Sequence, residues 1–131
     1  MSWAVGMTFE PVVKPPITRE LLAQYADASG DRNPVHLDEA FATAAGFPTV
    51  IVHGMLSMAF LADFVETQVA GSRYRVRRFK TRFRRVLFPG DVLRCEGTVR
   101  RALPGGGWLV AVSAIDQKGK VAVDGEAEVV P

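Results

Sequence analysis

A single cysteine, Cys95, stands among 131 residues, so the chain cannot close an internal disulfide. Its two histidines, His36 and His53, together with that one thiol are too few for a Cys/His metal cluster at zinc-like spacing, and no metal is expected. Long uninterrupted apolar runs are also missing. The best stretch, Val50 to Val69, is broken by His53, Ser57, Asp63 and Glu66, too polar for a bilayer span of about 20 residues. The first residues carry no charged region, apolar core and small-residue cleavage site of a secretory signal. A soluble protein in a reducing, cytoplasmic setting is the expectation. No internal repeat, low-complexity tract or Pro/Gly/Ser linker divides the chain, so residues 1–131 read as one domain.

What is present is a hydrophobic content of 48%, enough for one continuous core, and a net charge of only +2. The charge is unevenly placed: eight of the 16 Lys and Arg fall between Arg73 and Arg85. Thr18 precedes the periodic apolar run Leu21, Leu22, Tyr25 and Ala26, which predicts an N-capped helix ending at Gly30. A second short helix is expected from Asp38 as N-cap to Gly46, and a third from His53 to Val69. The third is apolar over most of its circumference and is expected to be enclosed. After Gly71 the period changes to two, with turn signals at Pro89-Gly90-Asp91, Pro104 to Gly107 and Lys118-Gly119-Lys120. Four antiparallel strands follow, near Arg73–Val86, Val92–Ala102, Trp108–Asp116 and Val121–Val130, with room for a short strand near the N-terminus. One buried helix and a strand meander make an α+β arrangement, an antiparallel sheet curled around a central helix with a short helical segment before it.

The connection Ser29-Gly30-Asp31-Arg32-Asn33-Pro34-Val35-His36 is the most informative stretch. Pro34 fixes its own φ, removes a donor and pushes Asn33 out of the helical region, so the loop is stiff. Asp31 and His36 stand at its two ends, at most about 17 Å apart if extended. The turn chemistry of Asn33-Pro34 is expected to fold them back onto one small volume where they share a water. Histidine is the side chain whose ordinary pKa lies nearest neutrality, and a neighbouring carboxylate steers its proton, so such a dyad can take and return one. The alternative is an Asx turn at Asp31 and a structural His36 that staples the next helix.

With Tyr25, Ser29-Gly30-Asp31, Asn33-Pro34-Val35-His36, Ala42 and Ile51-Val52-His53-Gly54-Met55, the chain resembles the MaoC-like family, which includes (R)-specific enoyl-CoA hydratases and 3-hydroxyacyl-thioester dehydratases. The resemblance extends over most of the chain and implies the hotdog fold. It implies Asp31 and His36 as the catalytic pair, the backbone N–H of Gly54 on the thioester oxygen, and an acyl tunnel bordered by Ala62. Expected substrate contacts are Arg32, Asn33, His53, Met55 and Ala62. It also implies a homodimer acting in fatty acid metabolism, with coenzyme A or an acyl-carrier phosphopantetheine as part of the substrate and no separate cofactor. Two positions depart from the commonest pattern: Ala28 replaces a larger aliphatic residue, and Arg32 places a charge where many members are apolar.

The start of the third helix has its own claim to chemistry. Its first amides have no intrahelical acceptor and the helix dipole makes that end electropositive. Gly54 has no Cβ, so its N–H can approach a carbonyl oxygen closely. His53 reads either as a structural histidine bonding the loop or as a substrate contact. The basic run alternates with Tyr74, Val76, Phe79 and Phe83, and its apolar parity flips between Val76 and Phe79, which predicts a bulge near Arg77-Arg78. It reads as a solvated or protected sheet edge, or as a site for coenzyme A phosphates or an acidic carrier protein. Nucleic acid is not expected, because the aromatics are expected to face the core and no nucleic-acid motif accompanies them. The competing functions are a thioesterase using Asp63 or Glu66, and a non-catalytic subunit paired with another chain of the same fold.

Overall fold

In the computed structural model, which describes residues 2–131, the chain forms one five-stranded antiparallel sheet and three helices. The short β1 (Val12–Val13) leads to α1 (Arg19–Ser29), a 3₁₀ turn (Pro34–His36) and α2 (Glu39–Ala44). The long α3 (Gly54–Val69) follows, then β2 (Arg75–Phe83), β3 (Arg94–Ala102), β4 (Trp108–Ile115) and β5 (Val121–Val130). The caps are those expected. Thr18 accepts from the Leu21 N–H, Gly30 ends α1 at φ 81°, and Asp38 accepts from the Phe41 N–H.

Sheet order is β1-β3-β4-β5-β2, so the basic strand β2 is an edge that pairs only with β5. The register between them shifts between Val76 and Arg78, which is the expected bulge. Arg77 pairs with Glu128 and Arg84 with Asp124 on the neighbouring strand, while Lys80 and Arg82 project into solvent. A Cβ on Gly125 would overlap the Lys80 carbonyl, so only glycine lets β5 lie this close to β2.

The sheet curls around α3. Leu56, Leu61, Phe64, Val65 and Val69 of the helix join Val99, Val110, Val112, Ala122, Val123 and Val129 of the strands in one core. Each of the Val, Leu and Phe side chains contributes roughly 1.5–3 kcal/mol by leaving water. Gly97 makes the closest approach possible, because a Cβ there would press on the rings of Phe9 and Phe64.

Two expectations need correction. The helix α3 is not enclosed all round: Met55 is 55% exposed and Ala59 is exposed, so the sheet of one chain covers only one side of it. Phe83 does not face the core either. It is 52% exposed at the end of β2, and its ring lies against Gly54. No helix among the described residues is long and apolar enough to cross a membrane.

Candidate active site

The loop after α1 is shaped by its own side chains. The Asp31 N–H donates to Ser29 Oγ, the Asn33 N–H to Asp31 Oδ1, and the Val35 N–H to Asn33 Oδ1. These successive short turns fold the segment back, and Pro34 then opens the 3₁₀ turn that carries His36. As a result His36 Nε2 stands 3.9 Å from Asp31 Oδ2. The Asp31 carboxylate is half exposed and the His36 ring is buried.

The protonation of both imidazoles follows from their partners. His36 Nδ1 lies 2.8 Å from the Ile51 carbonyl, so the neutral ring carries its hydrogen there and leaves Nε2 bare. His53 Nε2 lies 3.1 Å from the Asp31 carbonyl, so that ring donates from Nε2 and leaves Nδ1 bare. The two rings stack with centroids 3.9 Å apart and 22° between their planes. Burial holds the His53 pKa below its ordinary value; the Asp31 carbonyl pulls the other way.

Asp31, His36 and His53 each offer one donor atom within 4.8 Å of the others. Nearly parallel rings, however, aim their in-plane lone pairs alongside each other instead of at one point, which suits proton transfer better than metal coordination.

His36 and Gly54 line the same cavity, about 200 Å³ in volume, with Ser57, Phe83, Arg85 and Val86 around them. Gly54 is the first residue of α3, and among the described residues nothing accepts its N–H. The residue with the bare imidazole nitrogen and the one with the free helix-start amide therefore border one mostly apolar space, while Asp31 is not among its lining residues. Ser57 Oγ donates to the Gly54 carbonyl at 2.6 Å and fixes that first turn.

The other expected site residues are dispersed. Asn33 caps the 3₁₀ turn with its side chain, and the Arg32 guanidinium pairs with Asp27 at 2.9 Å on the surface. Met55 lies on the open face of α3, with Ala62 two turns further along the helix, half-buried. His53 is 1% exposed and forms no part of the cavity wall, because its ring is held beneath the loop by Asp31 and His36. Asp63 pairs with Lys14 away from the cavity, and Glu66 is exposed. Phe83 and Arg85 are not among the expected contacts; the basic run contains them, but nothing in its alternation marks which members line the cavity.

A family model described as the MaoC like domain matches residues 2–123. The chain is 30% identical to an (R)-specific enoyl-CoA hydratase of Rhodospirillum rubrum, over 80% of this chain and 73% of that one. It superposes on an unliganded R-hydratase of Pseudomonas aeruginosa with a TM-score of 0.87 at 37% identity, covering 98% of this chain and 81% of that one. It is also 36% identical, over 81% of its length, to a fatty acid synthase beta subunit of Dothistroma septosporum, of which it spans only 6%. Two further curated relatives are likewise much longer, the chain spanning 4% and 9% of them. With the sheet wrapped on α3 and the loop from Ser29 to His36 in place, the chain belongs to the MaoC-like dehydratase family and has its hotdog fold.

Proposed function

We propose that this chain catalyses the (R)-specific addition of water to trans-2-enoyl thioesters, and the reverse dehydration of 3-hydroxyacyl thioesters. The observation that carries the reading is the 3.9 Å gap between His36 Nε2 and Asp31 Oδ2, two proton acceptors with no hydrogen between them. One water donating a hydrogen to each bridges that gap and presents its oxygen lone pair to the substrate. The thioester oxygen accepts from the Gly54 N–H, where enolate-like charge develops as water adds at the β-carbon. The water gives one proton to the dyad, and the dyad returns a proton to the α-carbon. The names of relatives support this reaction class, including a 3-hydroxybutyryl-CoA dehydratase of Methylorubrum extorquens.

The thioester tail is that of coenzyme A or a carrier protein's phosphopantetheine, and the chain needs no cofactor of its own. Arg85 in the cavity wall, just past the end of β2 and 3.8 Å from Asp116, with Lys80 and Arg82 exposed on that strand, suits the negative charge of either tail. A homodimer is the working form. Met55, Phe83 and Val86 leave apolar surface beside the cavity, and the β2 edge is unpaired. A panel of enoyl-CoA substrates of increasing chain length tests the function. Loss of the conjugated-enoyl absorbance without thiol release is expected; thiol release with no loss of conjugation would identify a thioesterase instead.

A further inference from the structure

The loop that carries the dyad is held unequally at its two ends. At the His36 end it is pinned twice to the chain before α3, by the Ile51 N–H on the Val35 carbonyl and by His36 Nδ1 on the Ile51 carbonyl. At the Asp31 end the turns at Ser29, Asp31 and Asn33 are local: they set the shape of the loop but not its place against α3. Among the described residues, one long-range hydrogen bond reaches Asp31, and it comes from His53 Nε2 at 3.1 Å.

His53 is an expensive residue to keep there. It precedes α3 as the N-cap residue, yet its side chain makes no capping hydrogen bond. Its ring is 1% exposed, with His36 stacked on it and Tyr25 packed edge-on at 4.9 Å, and its Nδ1 has no partner among the described residues. A buried acceptor without a donor destabilises a fold. A phenylalanine would occupy a similar slot with no orphan atom. What it could not do is donate to the Asp31 carbonyl, and in a neutral imidazole a donor at Nε2 leaves Nδ1 bare. The orphan nitrogen is thus the counterpart of the bond that holds Asp31.

We propose that His53 is the positioning residue of this site: its Nε2–H holds the backbone of Asp31 while its ring face supports the ring of His36, so one side chain sets the separation of the two proton acceptors. The proposal rests on the hydratase reading of Asp31 and His36 and goes beyond it, because it gives a role to a residue that is not part of the cavity wall.

Two substitutions separate the two contacts. His53→Phe keeps the ring face and loses the donor; His53→Gln keeps a donor of similar reach and loses the ring. With trans-2-butenoyl-CoA as the probe, His53→Phe is expected to lower kcat about 10- to 100-fold, as a displaced catalytic group does, with KM within about twofold of wild type. Its melting temperature should not fall, since the orphan atom is gone, and His53→Gln should recover part of the rate. Unchanged kcat in His53→Phe, a rate loss matched by a lower melting temperature, or a Gln variant no faster than the Phe variant would each overturn the proposal. A second measurement needs no turnover. Imidazole nitrogen NMR shifts of the resting protein should place the hydrogen of His53 on Nε2 and that of His36 on Nδ1. Hydrogen on His53 Nδ1 overturns the positioning role by itself, whereas a wild-type chain with the expected shifts that leaves every enoyl thioester untouched overturns the hydratase reading and not the placement of His53.

Discussion

His36 Nε2 faces Asp31 Oδ2 across 3.9 Å without a direct hydrogen bond, because the one N–H of the neutral ring is turned to the Ile51 carbonyl. At that distance the two leave room for a shared donor between them. That spacing decides what substitutions should do.

Asp31→Asn keeps an oxygen for the Asn33 N–H, so the loop should hold its shape while the carboxylate's capacity to take a proton is lost. Turnover of trans-2-butenoyl-CoA should fall about 10²- to 10⁴-fold with a melting temperature near wild type. His36 is buried and stacked, so His36→Ala would also leave a hole and lower stability. His36→Gln is the better partner variant, and a comparable rate loss is expected in the same absorbance assay. Activity retained in both variants would exclude the dyad.

Gly54 permits a sharper test. As the first residue of α3, preceded by His53 at ψ 127°, it occupies a position that accepts proline without breaking the helix. Gly54→Pro deletes the N–H, and Gly54→Ala adds comparable bulk next to Phe83 while keeping it. If the amide holds the thioester oxygen, the proline variant should be slower than the alanine variant by about 100-fold, the effect of losing about 3 kcal/mol from an oxyanion contact. Equal rates in steady-state kinetics would remove Gly54 from the mechanism.

The buried imidazole of His53 predicts an acid sensitivity of the fold. Burial lowers its pKa in the native state, so between the native and unfolded values the unfolded chain binds more protons. This contribution to stability is complete above the unfolded value and is lost as pH falls below about 6.5. Thermal melting should therefore occur at lower temperature near pH 5.5 than near pH 7.5. His53→Phe should flatten the dependence across that window, and an unaltered slope would assign the sensitivity elsewhere.

Much of this architecture is legible in the residues, and the exceptions share a cause. Thr18, Gly30 and Asp38 announce their helix ends because capping is local chemistry. The parity flip after Val76 gives the bulge because a strand's side chains alternate without exception unless a residue is inserted. The loop from Ser29 to His36 foretells a shared volume for its two ends because proline and Asx turns constrain it from within. The open face at Met55, the outward Phe83 beside Gly54, and the stack of His36 on His53 are different in kind. Each depends on which distant segment comes to lie against which face, and periodicity records only that a face is apolar, not what covers it. Of the two readings of His53, the loop-bonding one has its partner in the Asp31 carbonyl, which lies far back in the chain.

Gly125 sits opposite Thr81 in the β2–β5 ladder, two residues before Phe83, and no side chain fits in its place. Bulk at that crossing would pry the edge strand away from its neighbour and carry the Phe83 ring off the helix start. A seemingly remote position in the sheet thereby governs the shape of the chamber wall. Mutational surveys that score only thermal stability would file such a change as a folding defect, although it would also reshape the cavity that Phe83 and Gly54 line.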